Sequence, residues 1–210
     1  GLYLAALSSP NLVNTVVGDN TASNEGGGLY LNNAEVDFVN VTVIRNSALT
    51  HGGALFMKGG VLKTRNSLLG GEGIWYNTSG GSNTMTIYYT DVAGGLEGIE
   101  TNDNGSVDWG EGNLDIGHGV RPNFCQEGPV WGADEKFHPP SAIIDAGDPD
   151  SKYNDEENLW CIYVSMAEAW ASNPAVINTP DSTTVRNDLG AFGGPKGSWG
   201  IKYATPGSEW

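Results

Sequence analysis

The sequence predicts an all-β protein in which short strands stack into a parallel β-helix. The first observation is that short apolar runs recur along the chain at a spacing of about 26 residues, as LYL at 2–4 returns at 29–31. The second is that each run alternates apolar and polar residues, the period of a strand and not of a helix. The third is that glycine pairs, Asn and Asp separate the runs, as expected at tight corners. Each repeat is therefore expected to form one coil of a solenoid.

Two columns of inward-facing aliphatic residues follow from this spacing. Strands of successive coils lie about 4.8 Å apart, so residues one period apart should stack on each other inside the tube. The predicted columns are Leu2, Leu29 and Leu55, and Val17, Val43 and Leu69.

Asparagines recur with the same period. Asn14, Asn40 and Asn66 form one such series, and Asn20 and Asn46 form another. Stacked amides at a bend can hydrogen-bond along the solenoid axis, so we predict a structural role for these residues and not a catalytic one.

The repeats divide the chain into two parts. Residues 1–138 are predicted to form the coils, with outer loops at 72–84 and 97–118. Residues 139–210 are predicted to form a capping segment and an extended Gly- and Pro-containing tail. Within the cap, apolar residues at helical spacing in 159–171 predict one short amphipathic helix over the open end of the tube. The chain begins in the middle of a repeat, so we expect that further coils precede Gly1 or that another subunit covers that end.

Several ordered segments resemble a known group of proteins. They are RNSLLGGEGIWYN at 65–77, TIYYTDVAGGLEG at 86–98, GNLDIGHGVRPNF at 112–124, PPSAIIDAGDPD at 139–150 and VRNDLGAFGGP at 185–195. In this order they resemble the carboxy-terminal part of secreted or cell-surface bacterial right-handed parallel β-helix repeat proteins. The chain departs from that series at RPNF, where DP.F is usual, and in an insertion of about thirty residues before VRNDLGAF. The resemblance implies a right-handed helix and an extracellular or cell-surface location.

Composition limits the partners. There are 25 acidic and 10 basic residues, a formal net charge of −15. This balance argues against nucleic acid and anionic membranes, which attract basic surfaces. No apolar run approaches the roughly 20 residues of a membrane-spanning helix. Cys125 and Cys161 fit either one disulfide or two separate thiols.

The candidate functional residues fall into three groups. Aromatic side chains in the predicted outer loops could contact a glycan or a protein, or could fold back over the tube wall; they are Trp75, Tyr76 and Trp109. The densest acidic group could bind Ca²⁺ through oxygen ligands; it comprises Asp145, Asp148, Asp150 and Asp188. The same acids could instead pair with Arg186 and tie the cap together, with Asp148 capping a turn before Pro149.

Three functions remain open at this level. The first is a non-catalytic, structural or adhesive surface protein that displays loops for glycan or protein contact. The second is a polysaccharide lyase or hydrolase, for which the candidate basic residues are His51, Lys58, Lys63 and Arg65, with Arg45 one coil earlier. They form no column from coil to coil, because Arg45 is matched by Asp19 one period earlier. The third is a self-assembling subunit that stacks through its first coil.

Overall fold

A computed structural model describes residues 1–6, 8–71, 73–115 and 146–153, and the backbone of two short segments, 130–131 and 137–138. The described chain is almost entirely β, and its strands stack in parallel into a solenoid of about 4 turns. The predicted parallel β-helix is thereby confirmed.

Fourteen strands make up the described structure. They are β1 (Leu2–Leu4), β2 (Asn11–Gly18), β3 (Thr21–Ala22), β4 (Leu29–Ile44), β5 (Ser47–Ala48), β6 (Leu55–Arg65), β7 (Leu68–Leu69), β8 (Ile74–Tyr76), β9 (Asn83–Tyr88), β10 (Asp91–Val92), β11 (Ile99–Glu100), β12 (Gly105–Trp109), β13 (Val130–Trp131) and β14 (Phe137–His138). All pairings are parallel except that of β13 with β14, which is antiparallel.

The coils present three walls. The first wall contains β1, the start of β4, the start of β6, β8 and β11. The second contains the start of β2, the middle of β4, the end of β6, β9 and β12. The third contains the end of β2, the end of β4, β7 and β10. One long strand such as β4 therefore contributes to all three walls by bending twice.

The bend between the second and third walls is made by residues in the left-handed region. Asn14, Asn40, Asn66 and Tyr89 have φ between 44° and 55°, and Gly112 has φ of 72°. The first four occupy matching positions in successive coils, and Gly112 lies against Tyr89 in the next coil. Asn tolerates this conformation better than other residues with a side chain, which explains why the 26-residue Asn series exists.

At the other end of the third wall, after β2 and β4, side chains hydrogen-bond from coil to coil. The Asn46 Oδ1 atom accepts from both the backbone N–H and the Nδ2 of Asn20, each at 2.9 Å, and the Asn46 Nδ2 donates to the Val17 carbonyl at 2.8 Å. The predicted amide ladder is thus formed by Asn20 and Asn46. At the bend between the second and third walls, hydroxyl groups link the coils in a similar way. The Ser67 and Thr90 hydroxyls each accept a hydrogen bond from a backbone N–H of the coil before, at 3.1 and 3.4 Å respectively.

Both predicted aliphatic columns are present in register. Leu2, Leu29 and Leu55 stack in the first wall, and the column continues through Ile74 and Ile99. Val17, Val43 and Leu69 stack in the third wall, and Val92 follows them. Because each inner residue of the middle coils has a partner above and below it, the core is one continuous cluster along the axis.

The predicted outer loops are wrong in their extent. The range 72–84 contains β8 and the start of β9, and the range 97–118 contains β11 and β12. The physical reason is a shortened coil. In the first two coils a side strand, β3 or β5, separates the third wall from the next first wall. In the next coil the described residues between β7 and β8 form no such strand, and Gly71 and Gly73, with φ of 128° and 83°, precede β8.

Little of the predicted cap lies in the described residues. Residues 146–153 end in a short 3-10 turn at Ser151–Tyr153 and pack against the outside of the coils. The predicted helix at 159–171 and the cysteines Cys125 and Cys161 lie outside the described residues. Within the described ranges, no helix has the length and apolar character needed to cross a membrane.

Candidate functional site: the outer surface of the first wall

The outer surface of the first wall carries a column of four aromatic rings, one from each of four successive coils, and Glu100 takes the matching position in β11. Tyr3, Tyr30, Phe56 and Trp75 occupy matching positions in β1, β4, β6 and β8. Their neighbours on either side in each strand point inward, so the two-residue alternation of the strands places the rings outside. We call these four residues the aromatic column.

The rings stack on each other along the solenoid axis. The Tyr3 and Tyr30 centroids lie 5.3 Å apart with 29° between the planes, and those of Tyr30 and Phe56 lie 5.0 Å apart with 34° between the planes. These distances fall within the range of favourable ring pairs. Phe56 is fully buried, although it does not belong to the interior cluster. The faces of the rings therefore point along the axis, and their edges point away from the wall.

The last ring of the aromatic column is held by a histidine. The indole of Trp75 stacks on the imidazole of His51, with centroids 3.9 Å apart and 11° between the planes. His51 forms a parallel bridge with Glu25 at the edge of the wall. Trp75 is half-buried as a result, and one of its faces is already covered.

A polar column runs beside the rings, two residues further along each strand. Asn32 and Lys58 are register partners, and Asn77 follows directly after β8 with its N–H donating to the Met57 carbonyl at 2.8 Å. We call Asn32, Lys58 and Asn77 the polar column. It points outward for the same reason that the aromatic column does.

Hydrogen bonds hold the two asparagines of the polar column in place. The Asn32 Nδ2 donates to the Tyr3 hydroxyl at 2.8 Å, which links the two columns. The Asn77 Oδ1 accepts from the Ser79 N–H at 2.7 Å and from the Ser79 hydroxyl at 2.9 Å. The wall is therefore pre-organised by its own contacts before any ligand arrives.

Lys58 differs from the other cations of the described residues. Arg45 pairs with Asp19, Lys63 with Glu35, Arg65 with Asp148 and Lys152 with Asp150. Among the lysines and arginines in the described part of the chain, only Lys58 lacks a carboxylate partner. Lys58 lies between Asn32 and Asn77 in the polar column. An ammonium group with three free donors is suited to bind hydroxyl or carboxylate oxygens.

The ion pairs explain why the other basic residues are poor candidates for a catalytic base. The Arg45 Nε donates to Asp19 at 2.7 Å, and this bond holds the pKa of the Asp19 carboxyl below its usual value. The Lys63 ammonium lies 2.9 Å from Glu35, which raises the pKa of Lys63 and keeps it protonated. Proton abstraction needs an unprotonated base, so this pairing works against that role.

Two of the three predicted contact residues are placed elsewhere by the structure. Tyr76 lies in β8, not in a loop; it is fully buried in the core, and burial raises the pKa of its hydroxyl. Trp109 packs against the core at the end of an inward column of the second wall, above Ile87. Both fail as outer-loop contacts because strand alternation turns their rings inward. Trp75 alone is on the outer surface.

The predicted acidic site is only partly described. Asp148 pairs with Arg65 and Asp150 with Lys152, so both carboxylates already have a cationic partner. In residues 1–115 and 146–153, leaving aside Leu7 and Glu72, no three His, Cys, Asp or Glu side chains are grouped to hold a metal ion. Asp145, Asp188 and Arg186 lie outside the described residues. Asp148 is tied to an arginine of the coils, Arg65, and the predicted pairing of Arg186 lies outside the described residues.

Sequence reasoning missed the two columns as a site. The signal was present, because Tyr3, Tyr30 and Phe56 recur in the middle of the aligned LYL, LYL and LFM runs. The recurrence does not extend to Trp75 at the same spacing, because the shortened coil places Trp75 fewer than 26 residues after Phe56. No protein-family model, curated protein or solved structure shows a significant match to this chain.

Proposed function

We propose that this chain is a rigid, non-catalytic solenoid of an extracellular surface protein, and that it contacts glycans through the outer surface of the first wall. The observation that carries the proposal is the polar column with its unpaired Lys58, set beside the aromatic column. Sugars present hydroxyl groups that amides and ammonium groups can bind, and C–H surfaces that pack on aromatic groups. The extracellular location rests on the resemblance of the later segments to secreted β-helix proteins.

The geometry favours an extended ligand over a compact one. Three coil spacings of about 4.8 Å separate the first and last rings, a length of about 14 Å. Since the ring faces point along the axis, a ligand lying on the wall would meet the edges of Tyr3, Tyr30 and Trp75, the tyrosine hydroxyls and the polar column, whereas Phe56 is fully buried beneath it. Tyr3 is the most open ring, at 62% exposed. A short linear oligosaccharide matches this shape and these donors.

Calorimetric titration of the chain with a panel of neutral and uronate-containing oligosaccharides tests the proposal. Lys58→Ala is expected to weaken binding about 10-fold or more, since a hydrogen bond to a charged group contributes about 1.5–3 kcal/mol. Asn32→Ala is expected to weaken it as well, because it removes a donor and frees the Tyr3 hydroxyl. Lys63→Ala is the matched control, because that lysine lies on the second wall and is already paired with Glu35.

The outcomes are distinct. Loss with Lys58→Ala and no change with Lys63→Ala would support the first wall as the contact surface. Equal loss in both variants would indicate non-specific attraction of charge. An absence of binding across the panel at millimolar oligosaccharide would contradict the glycan proposal. Release of new reducing ends during incubation would instead indicate a polysaccharide-cleaving enzyme.

A further inference from the structure

A second surface of the coils makes specific side-chain contacts with a distant segment. It lies at the bend between the second and third walls, where β6 ends at Arg65 and Asn66 follows in the left-handed conformation. One coil further, β9 ends at Tyr88 and Tyr89 follows. We call Arg65, Asn66, Tyr88 and Tyr89 the corner site. Residues 146–153 lie against it.

The arginine is the centre of the corner site. Its guanidinium forms an ion pair with Asp148, and their side chains are 31% and 10% exposed. The guanidinium carbon lies 5.1 Å from the centroid of the Tyr88 ring, 5.9 Å from that of Tyr89 and 5.7 Å from that of Tyr153. Three rings within about 6 Å of one cation form a partly desolvated cage that strengthens the ion pair.

The coils also bind the backbone of Asp148. The Asp148 N–H donates to the Asn66 Oδ1 at 2.7 Å, and Asn66 is fully buried. Asp148 is thus recognised at both its carboxylate and its backbone. Behind it, Ala146 packs with Leu68, Tyr89 and Leu114 in a small apolar cluster outside the main core.

Residues 146–153 form a turn that is held by its own hydrogen bonds and one ion pair. The Asp148 Oδ1 accepts from the Asp150 N–H at 2.9 Å, and the Asp150 Oδ1 accepts from the Lys152 N–H at 3.1 Å. The Lys152 ammonium closes the turn with Asp150 at 2.8 Å. Pro149 restricts the backbone between the two aspartates. A short peptide held in its bound shape by these local bonds loses little entropy on binding.

We propose that the corner site is a peptide-recognition site for an acidic Asp-Pro-Asp turn followed by a tyrosine. Residues 146–153 occupy it in the same chain and act as a releasable strap. The coils do not depend on the strap for their own pairing, since β6, β7, β9 and β10 are joined by backbone hydrogen bonds around the bend. The strap is joined to the coils through side-chain contacts and the bond from the Asp148 N–H to Asn66, and it pairs with none of the described strands, so local opening can release it while the coils stay folded.

Hydrogen exchange of the full chain gives the first test. Arg65→Met keeps much of the aliphatic stem and removes the charge, and it is expected to accelerate exchange in 146–153 at least 10-fold while the coil strands keep their protection. Arg45→Met is the matched control, because Arg45 pairs with Asp19 on the surface at a different bend. Unchanged exchange in 146–153 of the Arg65 variant would overturn the proposal, and so would deprotection of the whole chain.

Peptide binding gives the second test. In the full-length Asp148→Ala variant the strap loses its anchor and the corner site is open. A fluorescent peptide of sequence AGDPDSKY should bind this variant saturably, and at least 10-fold more weakly to the unmodified chain, whose own strap competes with it. Adding Arg65→Met to the variant should abolish binding. No binding to Asp148→Ala at millimolar peptide, or binding that survives Arg65→Met, would refute recognition by the corner site.

Discussion

Shortening one leucine of the first-wall column should reveal how strongly each coil depends on its neighbours. Leu29 is fully buried and stacks between Leu2 and Leu55 in register, whereas Leu2 is 37% exposed and has a partner on one side only. The same substitution, leucine to alanine, can therefore be made at two positions of one column that differ only in their neighbours.

The magnitudes follow from burial and cavity formation. Leu29→Ala leaves a void enclosed by two fixed coils, so we expect a loss of about 3–4 kcal/mol in the free energy of unfolding, within the usual range for buried leucines. Leu2→Ala loses roughly the buried part of a transfer free energy, about 1–2 kcal/mol, and creates no closed void. The difference of about 2 kcal/mol should move the thermal midpoint by roughly 4–8 °C in a chain of this size.

Urea unfolding followed by far-ultraviolet circular dichroism measures both losses on the same scale. Comparable slopes of free energy against urea in the two variants would show that they unfold the same amount of structure. Equal losses at Leu29 and Leu2 would refute the reasoning, because they would mean that Leu29 is not enclosed between two coils.

Three further predictions concern single contacts. Arg45→Ala should leave the urea midpoint nearly unchanged in 1 M salt, because its ion pair with Asp19 is exposed to solvent and salt screens it; a large loss that persists in salt would contradict this. Gly60→Ala should lower the thermal midpoint sharply, since Gly60 has φ of 122° and an added Cβ would overlap the Ala34 carbonyl oxygen; a midpoint equal to that of the parent would show that the bend is relaxed. Burial raises the pKa of Tyr76 above that of the unfolded chain, so the unfolded state loses this proton first and stability should fall above about pH 10 by up to 1.4 kcal/mol per pH unit. Urea midpoints at pH 9 and 11 should show a weaker decline for Tyr76→Phe, and identical declines would contradict the assignment.

The periodic part of the fold could be predicted from the sequence because stacking repeats the same physical requirement in every coil. Val17, Val43 and Leu69 face the same interior, so the same kind of residue recurs at the same spacing. The Asn series recurs for a related reason, since Asn14, Asn40 and Asn66 all adopt a left-handed bend.

The parts that could not be predicted are those without a period. The coil that lacks a side strand places Ile74 only 19 positions after Leu55, so a fixed spacing assigns β8 to a loop and Tyr76 to the surface. The corner site joins Arg65 to Asp148, which are 83 positions apart, and no local pattern marks such a pair. The acidic group was visible in the sequence, but the partner of Asp148 was not.

Cross-linking of register partners is the most direct test of the central claim, that successive coils stack in parallel at the 26-residue spacing. Val13 and Val39 are outward-facing register partners at the strand spacing of about 4.8 Å, within reach of a disulfide, whereas Val13 and Asp37 are two residues out of register and about 8 Å apart. In a background with Cys125→Ser and Cys161→Ser, Val13→Cys with Val39→Cys should oxidise rapidly to one cross-linked product, identified by peptide mapping. Val13→Cys with Asp37→Cys should remain reduced under the same conditions. Faster or equal cross-linking of the second pair would contradict the register and with it the stacked-coil account.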